Sequence, residues 1–178
     1  ASAGHVSVAV GRSHAEDGGS ITMAAGASDR FVGGAVSVQS GDGNIGSSVS
    51  VVAATGEDQG GSVILKSGKA EYGQSGSVTI AASASEGASG GDVTLTSGKS
   101  DTDGGVMTMT GGFGDEAGGD VEIAAGSSTQ TGGSLTMKSG GSDEGSSGLV
   151  SIGSDVSDAT GTVSISSGSA SAGSSGSL

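Results

Sequence analysis

Two histidines, 19 acidic residues, six basic ones and no cysteine are what this chain offers for acid–base, nucleophilic or metal chemistry. His14 stands beside Glu16 and Asp17, but general acid–base catalysis needs a pocket and a positioned partner as well as the residue types. His5 has no acidic neighbour in sequence, so both imidazoles read as solvated loop residues. Gly41-Asp42-Gly43-Asn44-Ile45-Gly46 fits G-x-G-x-x-G, yet Val49-Ser50-Val51 follows as an extended segment and offers no helix N-terminus to hold a phosphate. Gly87-Ala88-Ser89-Gly90-Gly91 fits G-x-S-x-G and lacks both the strand-to-helix elbow and a triad to serve it. Both matches are what a chain with 39 glycines produces by chance. The sequence predicts no catalytic residue, no cofactor and no enzyme.

Calcium is the one candidate ligand. Gly111-Gly112-Phe113-Gly114-Asp115 opens like the G-G-x-G-x-D nonapeptide of calcium-binding β-rolls, but Glu116 follows and no nine-residue period continues it. Pairs such as Asp101/Asp103 supply the oxygen ligands calcium prefers. Solvated acidic loops are the competing reading, so no metal ligand is assigned.

The elements that would position any such residue are short and repeated. In Gly76-Ser77-Val78-Thr79-Ile80-Ala81-Ala82, an extended backbone turns Val78 and Ile80 to one side and Ser77, Thr79 and Ala81 to the other. The same apolar pair recurs as Val6/Val8, Ile21/Met23, Val36/Val38, Val49/Val51, Val63/Leu65, Val78/Ile80, Val93/Leu95, Met107/Met109, Val121/Ile123, Leu135/Met137, Val150/Ile152 and Val163/Ile165, at intervals of 13 to 15 residues. A thirteenth copy begins at Gly176-Ser177-Leu178. Two residues beyond each pair sits a small residue, among them Ala25, Ser40, Ala53, Ser67, Ala82 and Ser97. Internal repetition at a fixed period is the signature of a solenoid, whose units bury their apolar faces by stacking.

The larger loop residues Phe31, Val32, Ile45, Tyr72, Phe113 and Val156 fall at no common offset from the pairs. Each repeat therefore supplies one half-buried strand that needs a second layer. The expected fold is all-β: a parallel β-solenoid of 13–15-residue repeats, two per coil, forming two facing sheets. Residues 1–178 read as a single array of about twelve repeats. At about 4.8 Å per rung, six such coils span roughly 29 Å, and twelve single-repeat coils, the rival arrangement, roughly 58 Å. Glycine in the loops is expected to supply positive φ and close backbone approach.

Two coil faces differ in chemistry under this reading. One collects Thr22, Ser50, Thr79, Thr108, Thr136 and Ser164 in a row, with the nearly uncharged Ala24, Val52, Ala81, Thr110, Lys138 and Ser166 beside it. The other carries Ile64, Lys66, Asp92, Asp120 and Glu122. A flat Thr/Ser row is a candidate surface-binding face for ice or for another sheet, although Ser and Thr also simply suit exposed strand positions.

Composition narrows the classes further. Two Phe, one Tyr and no Trp leave no bulky core. With neither Cys nor Pro, no disulfide or fixed turn holds the chain, and the redox compartment is not legible. A net charge of −13 opposes nucleic acid and anionic membranes, and no run approaches the roughly 20 apolar residues of a membrane helix. Sixteen of the 19 acidic residues fall in loops, the exceptions being Asp92, Asp120 and Glu122. Asn44 is the only asparagine and begins no N-x-S/T sequon, so sugars would have to be O-linked to Ser or Thr. Neither Ala1 to Gly4 nor Ser171 to Leu178 resembles a cap, so open β edges at the ends predict end-to-end self-association.

The G-G-S-V-T-I-x-S-G form of the repeat resembles the Gly/Ser-rich arrays of β-solenoid proteins in extracellular filaments and surface stalks, over essentially the whole chain. The resemblance implies a structural protein, a rigid segment of an extracellular fibre or surface appendage. The Thr/Ser row is similar to that of solenoid ice-binding proteins, with Ile64 and Glu122 interrupting the column. A calcium-stabilised adhesin stalk is the third expectation.

Overall fold

In a computed structural model of the protein, residues 4–14, 17–171 and 173–178 are described. The chain divides into two units, Ala1–Val93 and Thr94–Leu178, and both are built from the same local motif. A segment carrying the apolar pair leads into a loop of glycine, serine and, in most cases, acidic residues, and the loop is closed at its mouth by one backbone hydrogen bond. In the first unit Gly34 N–H donates to Gly26 O, Gly61 to Ala54, Gly76 to Gly68 and Gly91 to Ser83, at 2.8 to 3.1 Å. In the second, Gly105 donates to Gly98, Gly119 to Gly112, Gly133 to Gly126 and Gly148 to Gly140, at 2.8 to 3.0 Å.

The register of these bonds is constant. The donor lies two residues before the next apolar pair, and the acceptor three residues after the preceding one. All variation between 14- and 15-residue spacing is taken up between acceptor and donor. Ends brought together around a short surface stretch define an Ω-type loop. Within each, the backbone bends once, at 29–31, 57–58, 71–73, 86–88, 101–103, 115–116, 129–130 and 143–145. Seven of these eight bends include at least one acidic residue, and the bend at Thr129-Gln130 has none, so most tips are charged and the apolar segments nearly uncharged.

Exposure follows the same period. From Ile21/Met23 onward the first member of each pair is 49% to 55% exposed, whereas Phe31, Val32, Ile45, Tyr72, Phe113 and Val156 in the loops are 85% to 95% exposed. The expected alternation is present locally: Val63 and Leu65 are 52% and 72% exposed, and Ile64 between them is 82% exposed.

The expected β-solenoid is not formed. Among the described residues there is no strand, no helix and no sheet, and the chain is irregular coil; the two facing sheets, the coil and its open β edges are all overturned. No apolar side chain is buried among those residues, and the solvent-accessible area is 17721 Å². A folded chain of this mass exposes about 7,500 Å² and an unfolded one about 24,000 Å². The physical reason is the ratio of burial to order. Two medium-sized apolar side chains per 13 to 15 residues offer little area to bury, and a glycine-rich backbone loses much freedom when fixed in a ladder. A short loop is cheap to close by comparison, because the entropic cost of joining its ends grows with its length. Local closure therefore wins and long-range pairing does not form.

Of the two roles expected of glycine, close approach is the common one and positive φ the rare one. Among the described residues only Gly87 (φ 101°) and Gly173 (φ 105°) adopt positive φ. At the loop mouths glycine is used for close approach: a methyl group built on Gly34 would lie 3.2 Å from Ala25 Cβ, and one on Gly105 3.1 Å from Gly98 N. Reading Ala1 to Gly4 and Ser171 to Leu178 as uncapped rests partly on residues 1–3 and 172, which lie outside the described ones.

Candidate functional site

Most repeats have three chemically distinct parts: a sheltered mouth, an acidic tip and a half-exposed apolar segment. The mouth is the most protected place in the chain. Ser40, Ala53, Ser67, Ser97, Gly111 and Ser139, all two residues beyond an apolar pair, are partly shielded while nearly everything else described is exposed. Each donor glycine explains its small neighbour. Methyl groups built on Gly61, Gly76, Gly91 and Gly133 would lie 3.2 to 3.5 Å from the Cβ atoms of Ala53, Ser67, Ala82 and Ala125, so larger residues on either side would hold the mouth apart. At Gly111 the approach is closer still, because an added Cβ would collide with the carbonyl of Gly119.

Hydroxyl groups organise the loops. Phe31 N–H donates to Ser28 Oγ (3.1 Å), Ala70 N–H to Ser75 Oγ (3.2 Å), Thr102 N–H to Ser100 Oγ (3.1 Å), Gln130 N–H to Ser128 Oγ (3.2 Å) and Gly145 N–H to Ser142 Oγ (2.9 Å). Such local bonds give a loop a preferred bend.

Thr22, Ser50, Thr79, Thr108, Thr136 and Ser164 each lie between the two members of an apolar pair, and all are exposed. No strand pairing among the described residues ranks them into a row. The neighbouring positions Ala24, Val52, Ala81, Thr110, Lys138 and Ser166 are exposed in the same way, as are Ile64, Lys66, Asp92, Asp120 and Glu122.

The chance motifs resolve into loop geometry. The Gly41 to Gly46 stretch is the loop that Ser40 closes by donating its hydroxyl to Ser47 O at 3.0 Å, and no helix follows it. Gly87 to Gly91 contains a positive-φ glycine and ends at a closing donor, and Ser89 within it is exposed. In the calcium-like stretch Gly112 O accepts the closing bond from Gly119. No three His, Asp or Glu residues come together among the described residues. His5 and His14 are exposed, and Glu16, expected beside His14, lies outside the described residues. No pocket is present among the described residues, and no helix there is long and apolar enough to cross a membrane.

The role of the donor position escaped the sequence reading. Glycine stands two residues before the apolar pair at 34, 61, 76, 91, 105, 119, 133 and 148, a column as regular as the apolar one. Comparison with protein-family models, curated proteins and solved structures found no match.

Proposed function

We propose that the chain is a non-enzymatic structural segment of an extracellular fibre or surface appendage, in which copies associate through their half-exposed apolar pairs. The observation that carries this reading is the fixed register between loop closure and apolar pair at eight mouths. Catalysis needs a pocket with positioned acid–base or nucleophilic partners, whereas what organises the described residues is a recurring loop closure and apolar pair. A second copy carries apolar pairs at the same 13- to 15-residue intervals, so association at one pair brings others into range and raises their effective concentration. The acidic tips keep charge away from those segments and set a repulsion between copies that salt relieves. The extracellular placement rests on the Gly/Ser-rich repetition of the sequence alone, since the β-solenoid part of the resemblance is overturned.

Sedimentation velocity across a concentration series tests the assembly. Larger species should grow with protein and with salt concentration, and Val78→Asp with Ile80→Asp should weaken association roughly tenfold or more by placing two charges in one apolar contact. A monomer at every concentration, or assembly indifferent to both substitutions, overturns the reading.

A further inference from the structure

One repeat differs from all the others in its donor atoms. Met107-Thr108-Met109 is the only apolar pair in which both members are methionine; Met23 is paired with Ile21 and Met137 with Leu135. The chain has no cysteine and only two histidines, His5 and His14, both far away in sequence. We infer that Met107 and Met109 form a binding site for a soft monovalent cation of the Cu(I) or Ag(I) class.

Thioether sulfur is a soft ligand that selects Cu(I) over hard cations, and the long unbranched methionine side chain brings its sulfur to positions a rigid residue cannot reach. Both side chains are less exposed than the residue before them: Met107 is 49% and Met109 62% exposed, against 87% for Val106. Residues two positions apart in sequence lie at most about 7 Å apart even in a fully extended chain, within the span two methionine side chains close around one two-coordinate ion. The first thioether to bind holds the ion beside the second, so the pair outcompetes an isolated methionine by effective concentration. The cation need displace no packed group, because neither side chain is buried. The acidic tips do not compete, since carboxylates suit hard ions. This inference does not depend on assembly.

The test is an Ag(I) titration of the full chain in chloride-free nitrate buffer, read from the methionine methyl signals by NMR, with each methionine assigned by replacement with leucine. His5→Gln and His14→Gln in the background remove imidazole competition. The Met107 and Met109 methyls should shift together and saturate at one Ag(I) per chain, with Met23 and Met137 responding only at roughly tenfold or more higher concentration. Met109→Leu should abolish the tight site. Leu135→Met, which sets a second thioether two residues before Met137, should raise the tight stoichiometry from one ion to two. Four methyls shifting at the same Ag(I) concentration would overturn the site, as would a Met107/Met109 pair that does not respond. A Leu135→Met chain that still binds a single ion would overturn the pairing rule behind it.

Discussion

The loop between residues 98 and 105 and the loop between residues 41 and 47 are built from the same parts and closed by different ones. In the first, Gly105 N–H reaches Gly98 O at 2.9 Å. In the second, the preceding and following pairs, Val36/Val38 and Val49/Val51, are only 13 residues apart, and the donor position holds Ser47. Here the Ser40 hydroxyl crosses the mouth to Ser47 O at 3.0 Å. Between Ile21 and Val150 this is the only junction without the backbone closure, and the only one of 13 residues. The second 13-residue junction, Val150 to Val163, also lacks it; there Asp155 stands at the acceptor position and takes a bond from Val156 N–H at 2.8 Å through its own side chain. Between Ile21 and Val150 the backbone closure thus goes with a 14- or 15-residue spacing and a glycine donor. In the two 13-residue junctions a side chain makes a local bond instead.

The largest break in the comparison should come at the mouth packed most tightly. Gly111→Ala sets a Cβ against the Gly119 carbonyl, and overpacking costs about 1–3 kcal/mol, more than the roughly 0.5–1.5 kcal/mol that a net hydrogen bond contributes. The Gly119 amide should then exchange about tenfold faster or more. Gly112→Ala, one residue on, meets nothing within 4 Å and should leave that amide unchanged. Equal effects from both substitutions would show that close approach does not govern the mouth. Gly105→Ala should have a smaller effect of the same kind, because its Cβ would lie 3.1 Å from Gly98 N and a shift of a few tenths of an ångström relieves it. We expect roughly two- to fivefold faster exchange at the Gly105 amide. No change there would mean that the mouth already fluctuates more widely than the added methyl requires.

These mouths also separate what could be read in the sequence from what could not. The apolar pairs were legible because valine, isoleucine, leucine and methionine alternate with serine and threonine. The exposure of Val63, Ile64 and Leu65 confirms that alternation. The charged tips were legible in the same way. The sheet was expected from the same pattern and does not form, because alternation states which side of a segment is apolar and says nothing of what covers it. That outcome is set by a balance of area against chain entropy, and with no Trp and only three aromatics the area is small. With the ladder goes the alignment expected of Thr22, Ser50, Thr79, Thr108, Thr136 and Ser164. Loop glycine was expected to serve positive φ and close backbone approach, and the second role is the one found at the mouths. Positive φ is a property of one residue, whereas close approach involves two, and the partner, the small residue after the preceding pair, stands nine or so positions upstream. Seeing that Gly76 faces Ser67 requires knowing that the loop between them closes.

The smallest expected effect belongs to Ser40, and it isolates the length rule. Ser40→Ala removes the one hydroxyl that crosses the short mouth, at about 0.5–1 kcal/mol for an exposed neutral bond, and the Ser47 carbonyl carbon should move upfield in the NMR spectrum as it loses its donor. Ser67→Ala, at the equivalent position of a mouth closed by Gly76 and Gly68, should leave its loop closed, since the backbone bond there needs no hydroxyl. The two can be exchanged. Adding one residue between 42 and 46 and replacing Ser47 with glycine gives the short junction the 14-residue spacing and glycine donor that it lacks. If length and donor type set the closure, the amide at position 47 should become protected in that variant and Ser40→Ala should then cost nothing further. If Ser40→Ala still opens the lengthened loop, the hydroxyl is the cause of closure there, and the constant register of the other mouths would need a different origin.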